Sequence, residues 1–190
     1  MILPAVVSAN DTDKLLEPCF TCHGKDGVSN DAKVPTIAGY SEEYFGFSLG
    51  MYQRSTRPCV EAVYPAGDKK DLKTSMCEIT KGLSESDITQ IGEYFADKEF
   101  IRTAQTFDAE LARKGEAIHV AKCEACHTKS ASSPGDNIGI LAGQKMDYLR
   151  EQIKFVKDGK RITSKKMKLK LDTLSDADLE AVVQYYGSFQ

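Results

Sequence analysis

The sequence Cys19-Phe20-Thr21-Cys22-His23 occurs a second time, with the same spacing, as Cys123-Glu124-Ala125-Cys126-His127. The 190-residue chain has only three histidines, and two of them directly follow a Cys-x-x-Cys pair. Cys-x-x-Cys followed by His is the attachment signature of c-type haem, in which two thiols bond the porphyrin and the adjacent imidazole reaches the iron. The repeat therefore predicts two covalently bound haem c groups. The predicted attachment residues are Cys19, Cys22, Cys123 and Cys126, and the predicted proximal iron ligands are His23 and His127.

Two other uses of a Cys-x-x-Cys pair remain open at this point. A structural zinc site needs four ligands close in space, whereas the two motifs here lie 104 residues apart in the chain. A redox-active dithiol uses the two thiols but leaves the following histidine without a role. Haem attachment accounts for all three residues of each motif and is the favoured interpretation.

The composition excludes several classes of protein. The formal net charge is −3, so the chain lacks the basic excess of a nucleic-acid-binding protein. No apolar run reaches the roughly 18 residues of a membrane span. The opening MILPAVVSAN is apolar but lacks the basic flank of a signal peptide. Because haem c is attached in an oxidising compartment, we expect an exported, periplasmic protein without its signal peptide here.

The chain is an internal duplication of two halves of about 95 residues each. At an offset of 104, the matching pairs are Ala38-Gly39 with Ala142-Gly143, Tyr44 with Tyr148, and Arg57 with Arg161. The offset then falls to 91, and the matching pairs are Met76 with Met167, Leu83-Ser84 with Leu174-Ser175, and Asp87 with Asp178. The first half therefore carries 13 extra residues between Arg57 and Met76.

Each half predicts the same all-α domain, with the first over residues 1–100 and the second over residues 101–190. The expected order is a short helix leading into the motif, a loop, a helix, a loop that carries a methionine, and a closing helix. No convincing alternating strand is present. Halves of this size bury a small core, and an enclosed haem would complete it.

Four positions carry helix-start signals. Ser84 and Ser175 each precede an aspartate by three residues, at Asp87 and Asp178, which is a capping pattern. Ser41 stands before Glu42-Glu43, and Asp108 follows the segment that joins the halves. These signals predict the starts of both closing helices, of the helix over residues 42–54, and of the helix before the second motif.

The duplication selects the sixth ligand of each iron. Met76 and Met167 translate onto each other, and each lies seven residues before the Leu-Ser that opens the closing helix. Met51 instead translates to Phe155. We therefore predict His23/Met76 ligation for one iron and His127/Met167 ligation for the other. Thioether ligation raises the potential and leaves no open site for oxygen or peroxide, which favours electron transfer.

The remaining histidine, His119, lies four residues after Gly115 on the helix before the second motif. Gly115 would allow another helix to approach closely, with His119 facing the contact. Packing near Tyr185 or Tyr186 is the simpler interpretation, and a ligand switch is the alternative.

Cys59 and Cys77 stand close to the two edges of the 13-residue insertion. In an oxidising compartment they would form a disulfide that fixes the inserted loop next to Met76. Two reduced, buried thiols, or a metal such as copper between them, are the alternatives.

Lysines also cluster around both methionines, where they would steer an acidic partner or simply form a solvated face. They are Lys69, Lys70, Lys73, Lys165, Lys166, Lys168 and Lys170.

The two halves resemble tandem class I cytochrome c domains of the cytochrome c4 group, through PTIAGY, ILAGQKMDYL and LSDADLEAVVQYY. The segment QTFDAELARKGEAIHVAKCEACH, followed by ILAGQ, resembles the dihaem subunit of flavocytochrome c sulfide dehydrogenase. That resemblance covers most of the chain and is weakest around Cys59 and Cys77.

The resemblance to flavocytochrome c implies a heterodimer. A separate flavoprotein subunit would bind FAD and oxidise sulfide, and this chain would pass single electrons to an external cytochrome c. This chain has no Gly-x-Gly-x-x-Gly fingerprint of its own. A free-standing dihaem carrier of the cytochrome c4 type is the alternative function. A peroxidase-type enzyme is a third, which the paired methionines disfavour.

Overall fold

The computed structural model describes the backbone of residues 9–190 and the side chains from residue 12 onward, so most of the apolar opening lies outside the described residues. This part of the chain is mainly helical, as the sequence predicts. The helices are α1 (Ala9–His23), α2 (Glu42–Gln53), α3 (Met76–Thr80), α4 (Glu85–Ala96), α5 (Ala109–Lys122), α6 (Thr128–Ala131), α7 (Met146–Lys157), α8 (Lys165–Asp172) and α9 (Asp176–Gly187), with a 3-10 turn over Pro134–Asp136. None of the described helices is long and apolar enough to cross a membrane.

The first half places its motif at the end of a helix. Cys19, Cys22 and His23 lie on the last turns of α1, which ends where Gly24 takes a positive φ of 78°. The core beneath is formed by Leu16 of α1 together with the aromatic and aliphatic side chains of α2 and α4. Its other fully or nearly fully buried members are Tyr40, Tyr44, Phe45, Leu49, Ile91, Phe95 and Ile140.

The insertion of the first half folds as a small β-hairpin, which the sequence did not predict. β1 (Ala62–Val63) pairs antiparallel with β2 (Lys73–Thr74), and Ala62 lies opposite Thr74. Each strand is two residues long, which is too short to show the period-2 alternation that identifies a strand. The expected all-α fold class is confirmed, and the short hairpin is a local addition to it in the described residues.

The second half is built on the close packing of α5 against α9. A Cβ on Gly115 of α5 would lie 2.0 Å from the carbonyl oxygen of Ala181 in α9, so only glycine fits at this crossing. The buried residues of α9 include Val182, Val183, Tyr185 and Tyr186, which form the core of this half with Leu149 of α7. The approach of a second helix at Gly115 is therefore confirmed.

The predicted helix starts are also confirmed. Ser84 and Asp87 form a reciprocal capping box at the start of α4, and Ser175 and Asp178 form the same box at the start of α9. Ser41 accepts a hydrogen bond from the backbone N–H of Tyr44 at the start of α2. Asp108 accepts two hydrogen bonds, from the backbone N–H groups of Glu110 and Leu111, at the start of α5. These caps are local, which is why the sequence reveals them.

Both candidate methionine ligands lie in short helices, so the expectation of loops is wrong. Met76 is the first residue of α3, and Met167 lies in the first turn of α8. Ser75 and Ser164 cap these helices by accepting from the N–H groups of Glu78 and Met167, respectively.

The two halves contact each other through paired positions of the duplication. Gln144 stands at the position of Tyr40, and its amide donates to the Tyr40 hydroxyl across 2.9 Å and to the Thr36 carbonyl across 2.8 Å. Lys145 crosses from the second half to the carbonyl oxygens of Ser29 and Asp31. The expected division between residues 100 and 101 falls in the irregular segment between α4 and α5 and remains a prediction.

Candidate haem sites

The first motif opens into a cavity of about 750 Å³. Cys19, Cys22 and His23 line this cavity from α1, and Met76 lines it from α3. The cavity volume lies within the usual range of sites for bound organic groups, about 300–1,000 Å³. The structure therefore brings together all four candidates that the sequence assigns to the first site.

The His23 imidazole is held in one orientation. Its Nδ1 lies 3.0 Å from the carbonyl oxygen of Pro35, and because a carbonyl only accepts, Nδ1 carries the proton. The lone pair is then on Nε2, which is the form of imidazole that binds a metal. Burial lowers the pKa of His23, so the ring stays neutral.

The thiols of the first motif are poor candidates for a redox dithiol. Burial, and then the neighbouring Cys22, raise the pKa of Cys19 to about 11. Burial also raises the pKa of Cys22. Thiol exchange needs a lowered pKa. Among residues 12–190, no group of three or more His, Cys, Asp or Glu side chains is arranged to hold a metal ion, so the zinc alternative also lacks a ligand set.

The hairpin forms one wall of the first cavity. Cys59 and Cys77 are joined by a disulfide, with their Cα atoms 5.5 Å apart, as expected from their positions. Val60, Val63 and Met76 line the cavity from this closed loop. The side chains and backbone groups around the cavity, including the apolar wall and two thiols, fit a haem group.

The sequence did not identify Arg57 as a residue of this site. Arg57 is buried within the cavity wall and donates to Ser48 Oγ and to the Tyr148 hydroxyl, each across 2.6 Å. It also donates to Gln152 Oε1 across 3.1 Å, and its guanidinium lies 4.8 Å from the ring centre of Tyr52. The nearby phenols hold its pKa above the ordinary value although burial acts in the opposite direction. The sequence feature that could have identified Arg57 is its match with Arg161 in the duplication.

The second motif has a different local structure. Helix α5 ends at Lys122, so Cys123 through Cys126 form a turn instead of a last helical turn. The Nδ1 atom of His127 is buried and has no hydrogen-bond partner among the described residues. The position of Pro35 is taken in this half by Gly139, where a Cβ would lie 2.9 Å from the Tyr44 hydroxyl of the first half.

The backbone after the second motif is strained. Lys129, Ser130 and Ala131 of α6 all have positive φ angles, between 51° and 62°, so α6 is not a regular right-handed helix. Residues other than glycine rarely take this conformation, and each such residue costs on the order of 1 kcal/mol or more. Backbone strain of this kind is concentrated at functional sites in proteins.

Met167 is half-buried against the cluster of Val156, Leu171, Leu174 and Leu179. The charge of Lys170 on the same helix acts on the Cys123 thiol, whose pKa is nevertheless raised by burial. Two thiols, an imidazole and a thioether are thus present in the second half, and this donor set fits a haem by its chemistry. The structure shows a common cavity for the first set of candidates, whereas in the second half Met167 packs against the same apolar cluster as Ile118 of α5, the helix that precedes the motif.

His119 has the packing role expected of it. It is fully buried, its Nδ1 lies 2.9 Å from the Tyr186 hydroxyl, and its Nε2 contacts the Glu124 carboxylate. Its ring packs against those of Tyr185 and Tyr186. Both ring nitrogens are therefore occupied, which does not support the ligand-switch alternative.

Comparisons with known proteins indicate the family of this chain. A family model described as "Cytochrome C oxidase, cbb3-type, subunit III" matches residues 110–185. Cytochrome c-554(548) from Halomonas halodenitrificans is 31% identical over 81 residues, which cover 43% of this chain and 84% of that protein. The chain belongs to the c-type cytochromes.

Within this family, the cytochrome resembles cytochromes c4 in its whole fold. The structure of reduced recombinant cytochrome c4 from Pseudomonas stutzeri superposes with a TM-score of 0.74 at 23% identity, covering 97% of this chain and 100% of that one. The fold is thus cytochrome c4-like, with two c-type domains. Cytochrome c4 from Stutzerimonas stutzeri is 27% identical over 180 residues, which cover 88% of this chain and 82% of that protein, and this similarity implies two covalent haem c groups, one at Cys19/Cys22 and one at Cys123/Cys126.

Two relatives match the cytochrome over part of their length. Cytochrome c4 from Pseudomonas aeruginosa is 43% identical over 77 residues, or 40% of this chain and 37% of that protein. A thiosulfate dehydrogenase electron acceptor from Stutzerimonas stutzeri is 28% identical over 85 residues, or 45% of this chain and 34% of that protein. Both matches therefore span only about a third of the relatives' own length.

Proposed function

We propose that this cytochrome carries single electrons between two partner proteins and performs no substrate chemistry itself. The observation that carries the proposal is the common cavity of Cys19, Cys22, His23 and Met76. A haem held between imidazole and thioether supplies reversible one-electron transfer at a raised potential. If His23 and Met76 both bound the iron, the chain would leave no open coordination position for a peroxidase-type reaction.

Different residues of the first half would attach such a group, bind its iron and surround it. Cys19 and Cys22 would anchor it covalently, His23 would bind iron through Nε2 because the Pro35 carbonyl accepts from Nδ1, and Met76 would supply a thioether ligand. Phe45, Ile91 and Phe95 line the same cavity and exclude water. In the second half, the corresponding roles would fall to Cys123, Cys126, His127 and Met167.

Separate methionine variants test the ligand assignment. Met76→Ala and Met167→Ala should each lower the potential of one centre and remove about half of the methionine-to-iron charge-transfer absorbance. Met51→Leu is the matched control, because Met51 is buried in α2 and has no methionine counterpart in the second half. A full-strength band in either alanine variant would show that the assigned methionine is not a ligand.

The identity of the electron donor is a further part of the proposal. The relatives support the free-standing carrier better than the flavocytochrome c subunit that the sequence first favoured. One relative is named as the electron acceptor of a thiosulfate dehydrogenase. We therefore propose a donor that oxidises an inorganic sulfur compound in the periplasm, and an external cytochrome c as acceptor. An oxidising compartment also agrees with the disulfide between Cys59 and Cys77.

Native co-purification separates the two possible donors. A flavin-free preparation that is reduced by a thiosulfate dehydrogenase with thiosulfate would support the carrier. A stable heterodimer that contains FAD and is reduced by sulfide would instead support the flavocytochrome subunit. Reduction by neither donor would contradict the assignment to sulfur oxidation.

A further inference from the structure

Lys145 of the second half is a buried cation. It directly precedes α7, and only 5% of its surface is exposed. It takes part in none of the ion pairs formed by residues 12–190. Lysine side chains are almost never buried in proteins unless they are paired. The position of this lysine therefore points to a use of its charge.

The ammonium group of Lys145 donates to backbone carbonyl oxygens of the first half. The acceptors lie in the loop after the first motif and are the carbonyl oxygen of Ser29 and that of Asp31, the latter across 2.7 Å. Burial lowers the pKa of Lys145, and the negative charge of the Asp31 side chain acts in the opposite direction. Hydrogen bonds from the ammonium group to two carbonyl oxygens favour the charged form of the side chain.

The same loop carries the hydrogen-bond acceptor of the His23 ring. The Pro35 carbonyl oxygen lies 3.0 Å from His23 Nδ1. The next residue, Thr36, is held by Gln144 of the second half, which accepts from its N–H across 3.0 Å and donates to its carbonyl oxygen across 2.8 Å. Gln144 and Lys145 therefore contact the two ends of the loop that orients the imidazole.

The charge of Lys145 acts on the buried ring of His23. Burial lowers the pKa of His23, the hydrogen bond with Pro35 opposes this effect, and the positive charges of Lys145 and Arg57 lower the pKa further. His23, Lys145 and Arg57 are all buried, so salt and water screen these charges less than they screen surface charges. The imidazole of the first motif thus lies in a positive electrostatic potential.

The ring of His127 has neighbours of a different charge. Burial and then His119 lower the pKa of His127, whereas the carboxylates of Asp136 and Glu124 act to raise it. The residue that matches Lys145 at the offset of 104 is Ser41, whose side chain caps α2. The first half therefore has no cation at the position that matches Lys145.

We propose that Lys145 raises the reduction potential of the first haem across the contact between the two halves. The proposal deepens the electron-carrier function and rests on it. Oxidised iron carries one positive charge more than reduced iron, so a buried cation nearby disfavours the oxidised form. The second half thereby helps to determine which of the two haems holds an electron.

The test removes the charge of Lys145 in the holoprotein. Lys145→Met is uncharged and similar in length, Lys145→Gln is a second neutral variant that keeps a donor, and Lys145→Arg keeps the charge. Lys25→Met is the matched control, because Lys25 lies two residues after His23 but is exposed.

Potentiometric titration of each protein should show two one-electron steps. The step of the first haem is assigned by repeating the titration in a Met167→Ala background, which should displace only the other step. Denaturant unfolding of each variant establishes that it is folded.

Both neutral variants should make the first haem about tenfold harder to reduce, which corresponds to about 59 mV for a one-electron couple. The second step should change less than threefold in these variants, and both steps should change less than threefold in Lys145→Arg and in Lys25→Met. The effect of the neutral variants should persist at about 1 M salt, because a buried charge is weakly screened.

Three results would overturn the proposal. They are an unchanged first step in the folded neutral variants, an equal shift of both steps, and a loss in Lys145→Arg as large as that in Lys145→Met. The last result would show that packing, and not charge, sets the potential. If the wild type shows no reversible one-electron steps, the carrier function itself is contradicted.

Discussion

Arg57 of the first half donates a hydrogen bond to the hydroxyl oxygen of Tyr148 in the second half across 2.6 Å, and both side chains are buried. The duplicated residues form the reverse arrangement, in which the charge of Arg161 in the second half acts on the phenol of Tyr44 in the first half. Burial alone would raise the pKa of Tyr44, but the positive charges of Arg57 and Arg161 outweigh it and lower that pKa. The arginine of each half thus acts on the matching tyrosine of the other half, Arg57 by a hydrogen bond and Arg161 by its charge.

Tyr148→Phe tests how much this contact holds the halves together. Removing the hydroxyl leaves the buried Arg57 guanidinium without one of its acceptors, so the free energy of unfolding should fall by about 1–3 kcal/mol. Tyr52→Phe is the control. The Tyr52 hydroxyl neither accepts nor donates a hydrogen bond among the described side chains, and the substitution keeps the ring next to Arg57. Denaturant unfolding of both variants measures the difference, and equal losses would refute the assigned role.

The disulfide should stabilise both the fold and the Met76 ligand. Cys59 and Cys77 are 18 residues apart, so replacing both by serine should lower the free energy of unfolding by about 3 kcal/mol. The same variant should lose methionine ligation at the first centre at a lower temperature than the wild type. The second centre has no disulfide near Met167 and serves as an internal control in the same spectrum. If the two centres lose ligation together, the disulfide does not act on Met76.

Asp178 should stabilise the second half in a pH-dependent way. A hydrogen bond from Lys114, followed by hydrogen bonds from Ser175, lowers the pKa of Asp178 to about 2. Because this pKa is below that of the unfolded chain, the stabilisation is complete above about pH 4 and is lost as the pH falls towards 2. The wild type and Asp178→Asn should therefore differ in unfolding free energy at pH 5 and converge near pH 2. A difference that persists unchanged at pH 2 would contradict this linkage.

Gly115→Ala should strongly destabilise the second half. The added Cβ would lie 2.0 Å from the Ala181 carbonyl oxygen, and forcing the two helices apart should cost about 3 kcal/mol. Gly46→Ala is the control, because a Cβ on Gly46 in α2 meets no atom within 4 Å. That substitution should be neutral or stabilise the chain by about 0.5–1 kcal/mol. Thermal unfolding of the two variants measures this difference in stability, and equal stabilities would contradict the close contact between α5 and α9.

The sequence revealed the features that depend on local chemistry. The capping boxes at Ser84 and Ser175 and the start of α5 at Asp108 involve neighbouring residues, so the pattern alone locates them. The environment of His119 was predictable because Gly115, one helical turn earlier on the same face, marks a close helix crossing.

The contacts between the halves could not be predicted in this way. Tyr44 and Tyr148 match in the duplication, but a repeat does not show that its two copies meet, or that Arg57 reaches across. The hairpin was missed because its strands are two residues long. Helix α8 was missed because its lysines obscure the apolar face formed by Met167 and Leu171.

The number of haems bound covalently to one chain tests the central claim most directly. The pyridine haemochrome spectrum of the purified, denatured protein should give two haem c groups per chain. Each of the double variants, Cys19→Ala/Cys22→Ala and Cys123→Ala/Cys126→Ala, should give one haem c group per chain. Fewer than two haem c groups in the fully matured wild-type protein would contradict the account.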